Sequence, residues 1–102
     1  MKANDAKAKF RATKAWKEFR QKMRDKQNGL DYITGKKLNK FWNLHHLDMS
    51  TENYEKLEED NFICLNKQMH ETIHTLFRYY QKDTTILDRL KTVLDKMVEL
   101  NK

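Results

Sequence analysis

With a single cysteine, Cys64, the chain has no means of closing an intramolecular disulfide. One cysteine also cannot supply a structural zinc site of four cysteines. The chain has 102 residues, which is enough for one domain, and 38% of them are hydrophobic. We therefore expect a single domain over residues 1–102 that has no structural zinc and is stabilised by packed apolar side chains.

Membrane and secretory segments are not evident in the sequence. No stretch approaches the roughly 20 consecutive apolar residues that cross a bilayer. Residues 1–5 lead into a charged segment that lacks the apolar part of a secretion signal. Eleven aromatic residues argue against disorder, although 35% of the residues are charged. These features predict a folded cytoplasmic protein without a membrane partner.

Charge is distributed unevenly along the chain. Residues 1–40 contain thirteen Lys and Arg against four Asp and Glu, a net charge of +9, whereas residues 41–102 carry −3. A basic segment joined to a mildly acidic one favours a surface that binds a polyanion such as nucleic acid. Lys-rich helices are also common as solvated surfaces. Charge alone therefore leaves nucleic-acid binding and simple solvation as equal alternatives.

Apolar residues recur at helical three- and four-residue steps near both ends of the chain, and compact apolar runs of strand length lie between them. Asn28–Gly29 is typical of a left-handed helix C-cap. The pattern predicts a small α+β fold dominated by helices. In chain order, the predicted elements are a basic helix over 5–27, a turn over 31–40, a strand within 41–47, a polar loop over 49–60 with Tyr54 and Leu57 pointing inward, a strand over 62–65, and helices over 67–81 and 85–101.

All four histidines lie within thirty residues. His70 and His74 are four residues apart on a predicted helix, so their rings share one face and can converge on one metal ion. His45 and His46 are adjacent at the end of a predicted strand, where neighbours point to opposite faces. One of them can therefore supply a third ligand. Three neutral imidazoles would bind a divalent ion and leave positions open for water and substrate.

The helix also contains the HExxH pattern of zinc metallopeptidases, with Glu71 between His70 and His74. In that alternative Glu71 would be the general base. No histidine follows His74, so a third ligand would come from Asp83, Asp88 or a more distant carboxylate. This interpretation leaves the adjacent histidine pair and the basic segment without a role.

The histidine pair at 45–46, an asparagine fifteen residues later, and a second histidine pair nine residues further on resemble the signature of the HNH endonuclease family. The spacing is similar to that of the nuclease colicins. The resemblance implies a ββα-metal, or His-Me finger, core over 41–81, flanked by N- and C-terminal helices. Members of this family are often encoded by phages or mobile elements, so the resemblance also implies such an origin, with action in the host cytoplasm.

By that resemblance, His45, His70 and His74 would bind the metal, and His46 would be the general base that activates water. Asn61 would hold the loop and help to orient His46. The implied activity is hydrolysis of DNA phosphodiester bonds with one divalent ion. The three-histidine set is compatible with Zn²⁺, Ni²⁺, Mn²⁺ or Mg²⁺.

A non-catalytic DNA-binding domain with a histidine-bound metal is a third alternative. The presence of both His46 and Asn61 argues against it.

Candidate DNA contacts are basic residues close to the predicted site. Lysines ahead of the first strand and at a helix N-terminus suit phosphate binding, as does an arginine one turn beyond His74. The predicted DNA-binding residues are Lys36, Lys37, Lys40, Lys67 and Arg78.

Overall fold

The computed structural model describes residues 3–102, with side chains from residue 6 onward. The described chain has an α+β fold of four α-helices and a two-stranded antiparallel sheet, which confirms the α+β part of the prediction. None of its helices is long and apolar enough to span a membrane. In chain order the elements are α1 (Ala3–Arg11), α2 (Lys14–Lys26), β1 (Asn43–His46), a 3-10 turn (Glu59–Asn61), β2 (Phe62–Leu65), α3 (Lys67–Tyr80) and α4 (Ile86–Leu100).

The prediction of one continuous helix over 5–27 is wrong, because the helix is interrupted at Thr13. Thr13 has extended backbone dihedrals, and its Oγ1 accepts a hydrogen bond from the Trp16 backbone N–H at 3.2 Å. The same hydroxyl donates to the Phe10 carbonyl at 2.7 Å. A threonine side chain that bonds to nearby backbone in this way competes with continuation of a helix and caps the next one. The break brings the Phe10 and Trp16 rings to a centroid distance of 5.5 Å.

The sheet sets the register of the first histidine pair. β1 and β2 pair so that His45 lies opposite Ile63 and His46 opposite Phe62. β2 has the predicted bounds, and β1 occupies the centre of the predicted 41–47 segment. Leu44 and His45 are consecutive and both buried, so both faces of β1 are covered.

The core packs α2 against both strands. It contains Cys64, whose side chain is fully buried, and burial raises the pKa of that thiol to about 11. Phe19 and Phe62 meet edge to face at 4.9 Å, a favoured aromatic geometry. The buried cluster consists of Trp16, Phe19, Met23, Leu38, Trp42, Leu44, Phe62 and Cys64.

The segment between α2 and β1 is joined to β2 by polar side chains. Asn28 and Gly29 have φ values of 58° and 70°, which confirms the predicted left-handed cap after α2. The Gln27 side chain accepts from the Cys64 backbone N–H at 2.8 Å and donates to the Cys64 carbonyl at 3.2 Å. This amide therefore pairs with the backbone of β2 as a residue of a neighbouring strand would.

Asp31 is buried, with 2% of its surface exposed. One carboxylate oxygen accepts from the backbone N–H groups of Ile33 and Thr34, and the other accepts from that of Asn66, at 2.7–2.8 Å. Burial raises the pKa of Asp31, but the hydrogen bonds from Thr34, Asn66 and Ile33 outweigh burial and hold that pKa below its ordinary value. The carboxylate thus connects the predicted 31–40 turn to the residue that precedes α3.

The chain divides into two compact units, one that ends at His70 and one over Glu71–Lys102. The boundary falls inside α3, which is a continuous helix. In the second unit, α4 agrees with the predicted 85–101 helix to within one residue at each end. Asp83 precedes α4 and accepts hydrogen bonds from both the backbone N–H and the hydroxyl of Thr85.

Candidate metal centre

Two of the four histidines are presented by α3. The helix starts directly after β2, and the His70 backbone N–H donates to the Asn66 carbonyl at 2.9 Å, so the helical turn that carries His70 is formed from its first residues. His74 follows one turn later on the same face. Both side chains are half-buried.

His45 joins this pair from β1. His45, His70 and His74 each have a ring nitrogen within 4.8 Å of those of the other two. The His45 side chain is buried at 6% exposure, and its ring meets that of His70 at a centroid distance of 5.0 Å and an angle of 73°. The expectation that one member of the 45–46 pair faces the helix is met by His45.

The donor set fits a transition-metal ion. Zinc binds imidazole nitrogens at about 2.0–2.1 Å, so two ligands of one ion lie at most about 4.2 Å apart. The ring nitrogens lie within 4.8 Å of one another, which is close to this limit. Three imidazoles leave a further position for water or substrate, which is the pattern of a catalytic rather than a closed structural site.

His46 lies in different surroundings from its neighbour. Its Nε2 donates a hydrogen bond to the Tyr54 backbone carbonyl, with 3.1 Å between nitrogen and oxygen. A carbonyl can only accept, so the neutral ring carries its proton on this nitrogen and its lone pair on Nδ1. The ring is stacked nearly parallel to those of Tyr54 and Trp16 and is tilted against Phe62.

The electrostatic surroundings keep His46 neutral. Burial lowers its pKa, and the positive charges of Lys7 and Arg11 lower it further. The hydrogen bond to the Tyr54 carbonyl and the charge of Asp48 act in the opposite direction. The result is a pKa below the ordinary value, so at pH 7 the imidazole is predominantly an uncharged proton acceptor.

Asn61 holds in place the residues that directly follow His46 in the chain. Its side-chain oxygen accepts from the Asp48 backbone N–H at 2.5 Å, and its carbonyl accepts from the Leu47 N–H at 2.8 Å. Asp48 in turn accepts from the Ser50 backbone N–H and from the Asn53 side chain. The loop that leaves β1 is therefore bonded to the start of β2 immediately after His46.

The candidate DNA-binding residues are all exposed. Lys36, Lys37 and Lys40 lie on the turn before β1, where Lys37 forms an isolated bridge with Leu30. Lys67 is the first residue of α3, and Arg78 lies in its last turn.

Three residues with structural roles beside the site were not identified from the sequence. Tyr54 was expected only as an inward anchor, Trp16 only as one residue of an apolar helix face, and Asp31 only as part of a turn. The Asp31-x-x-Thr34-Gly35 spacing could have indicated the aspartate-capped turn. The ring contacts of Tyr54 are with residues far apart in the chain, so no local sequence pattern predicts them.

Two observations bear on the peptidase alternative. The third histidine of the cluster precedes the helix in the chain, and in the described part of the chain no carboxylate joins the group. Asp83, one of the carboxylates that the alternative offers as a third ligand, is bound to Arg89 at 2.7 Å.

Comparisons with known protein families, with curated proteins and with solved structures find no match. Candidate functions therefore rest on the residues of the site itself.

Proposed function

We propose that this protein is a metal-dependent endonuclease of the HNH type, with a ββα-metal arrangement formed by β1, β2 and α3, that hydrolyses DNA phosphodiester bonds. The observation that carries the proposal is that two adjacent histidines make different contacts. His45 joins His70 and His74 as a potential ligand, whereas His46 is bonded to a backbone carbonyl and retains a lone pair. One strand thus provides a metal ligand and a general base side by side.

The chemistry assigned to His46 follows from its bonding. The Tyr54 carbonyl holds one ring nitrogen as a donor, so the other can take the proton of a water molecule that attacks phosphorus. The lowered pKa keeps the ring unprotonated and ready for this transfer at neutral pH. An ion held by His45, His70 and His74 would supply a Lewis acid that offsets negative charge on the phosphate.

DNA as the substrate is supported by charge. The segment over 1–40 has a net charge of +9, and its exposed basic residues include the predicted contacts on the turn before β1. Lysines of this kind bind phosphates without reading sequence, so we expect weak sequence preference.

The peptidase alternative uses the same helix but explains fewer of the observed features. Glu71 is exposed, and the third histidine comes from β1 rather than from a residue that follows α3. A peptidase would also have no use for the hydrogen bonding of His46. A domain whose metal is only structural would likewise have no use for the hydrogen bonding of His46, because His46 lies outside the three-histidine group.

Cleavage of supercoiled plasmid tests the proposal. We would incubate wild type, His46→Ala and Glu71→Gln with chelator and then add back Mg²⁺, Mn²⁺, Ni²⁺ or Zn²⁺ separately. We expect metal-dependent nicking by wild type and Glu71→Gln, and its loss in His46→Ala. Absorption of bound Co²⁺ should remain in His46→Ala and disappear in His70→Ala. Normal cleavage by His46→Ala, or a peptidase activity that Glu71→Gln abolishes, would refute the assignment.

A further inference from the structure

The His46 ring is oriented by two aromatic neighbours in addition to its hydrogen bond. Its centroid lies 4.4 Å from that of Tyr54 at an interplanar angle of 13°, and 5.7 Å from that of Trp16 at 7°. Both are stacked geometries within the favoured range for aromatic pairs. Trp16 comes from α2 and Tyr54 from the loop between the strands, so elements distant in sequence fix the plane of this imidazole.

Tyr54 is itself held by α1. The Arg11 guanidinium donates to the Tyr54 hydroxyl at 2.9 Å, and the Lys7 ammonium lies 4.9 Å from the centre of its ring. Phe10 meets the same ring edge-on at 5.8 Å. Three residues from successive turns of α1 therefore contact one side chain that is only half-buried and stands outside the buried core cluster.

We propose that Tyr54 and Trp16 are positioning residues for His46. The proposal rests on the proposed nuclease function. The hydrogen bond to the Tyr54 carbonyl fixes the direction of one ring nitrogen, and the stacked rings fix the plane. Together they determine the direction of the Nδ1 lone pair. The hydrogen bond alone would leave the ring free to rotate about the axis of that bond.

Tyr54 is the better residue to vary, because Trp16 belongs to the buried core and its loss would also destabilise the fold. Tyr54→Leu removes the ring but keeps the backbone carbonyl. Tyr54→Phe keeps the ring and removes only the hydroxyl that Arg11 contacts. Tyr79→Leu is a matched control, since Tyr79 is 58% exposed and lies on α3 in the second unit.

The kinetic test measures cleavage of a fluorescent DNA duplex with the added ion that gives the fastest wild-type reaction. We expect Tyr54→Leu to lower kcat about 10- to 100-fold with little change in KM, because misplacement of a reacting group by about 1 Å costs rate rather than binding. Tyr54→Phe should recover most of the wild-type kcat, and Tyr79→Leu should match wild type.

A spectroscopic readout separates orientation from folding. Stacked rings shift the His46 ring-proton resonances, and this shift should diminish in Tyr54→Leu and persist in Tyr54→Phe and Tyr79→Leu. Co²⁺ absorption and the melting temperature should show that the metal ligands and the fold of Tyr54→Leu are retained.

Each outcome decides between the proposals. If wild type cleaves DNA and Tyr54→Leu has the same kcat or the same His46 resonances, the positioning role is refuted and the nuclease function stands. An equal loss in Tyr79→Leu, or failure of Tyr54→Phe to recover kcat, also refutes it. If wild type cleaves DNA with none of the ions, the nuclease function fails, and the positioning role fails with it.

Discussion

The carboxylate of Asp31 connects two parts of the chain because its two oxygens accept from backbone on both sides. The turn after α2 lies on one side, and Asn66, immediately before α3, lies on the other. Asn66 extends the connection, since its side chain accepts from the Asn39 N–H and donates to the Lys37 carbonyl. The position of α3, and with it that of His70, depends on this buried group.

We therefore expect Asp31→Asn to destabilise the fold by about 1–3 kcal/mol, because the amide NH₂ cannot accept from the Asn66 N–H and leaves a buried donor unpaired. Urea unfolding at pH 7 measures this difference. Asp60→Asn is the control, since Asp60 is exposed. Equal midpoints for Asp31→Asn and wild type would contradict the role given to this carboxylate.

The stabilisation by Asp31 should also depend on pH. Its pKa is lowered by folding, so its contribution is fully present above the unfolded pKa of about 3.9 and is lost as pH falls through the folded value. The difference in unfolding free energy between wild type and Asp31→Asn should therefore be constant from pH 7 to about 5 and shrink below about pH 4. A difference that grows on acidification would reverse the sign that we assign.

Cys64 should be unreactive in the native state. Its side chain is fully buried, and its pKa is raised to about 11, so almost no thiolate is present at pH 8. An aromatic disulfide reagent should modify the thiol only after denaturant is added. Rapid modification of the folded protein, followed by absorbance, would show that this part of the core opens readily.

At the scale of elements, Thr13 decides how the N-terminal segment is arranged. A continuous helix over 5–27 would have directed its apolar residues along one stripe, whereas the break allows Phe10 to contact Trp16 and Tyr54. The interrupted helix is thus what brings α1 beside the surroundings of His46.

Replacement of this cap tests its contribution. Thr13→Ala removes the acceptor for the Trp16 N–H and should destabilise the protein by about 1 kcal/mol, the usual value of an N-cap. Thermal unfolding compared with Thr51→Ala, an exposed threonine, measures the loss. An increase in stability on Thr13→Ala would mean that α1 and α2 prefer to form one helix.

At the scale of the whole molecule, the uneven distribution of charge is the property relevant to a polyanionic partner. Under the proposed nuclease function, DNA binding by His46→Ala, a variant expected not to cleave, should weaken steeply with salt, because each phosphate contact releases counterions. Fluorescence anisotropy at several NaCl concentrations gives the slope of log affinity against log salt. Joint replacement of Lys36, Lys37 and Lys40 by alanine should reduce that slope, and an unchanged slope would remove this turn from the interface.

Much of the secondary structure followed from local patterns. The strand over 62–65, the helix that carries His70 and His74, and the left-handed cap at Asn28–Gly29 agree with the structure because each depends on residues a few positions apart. The break at Thr13 did not follow, since a single threonine is compatible with both a helix interior and a cap.

The sequence by itself determined that His70 and His74 share a helix face, that one of two adjacent histidines must point elsewhere, and that a lone cysteine leaves the fold to apolar packing. Only the tertiary structure decided that His45 is the one that joins the helix, and that His46 is stacked against Tyr54 and Trp16. The reason is physical: periodicity fixes directions within one element, whereas contacts between elements depend on how a loop, a strand and two helices share the same core.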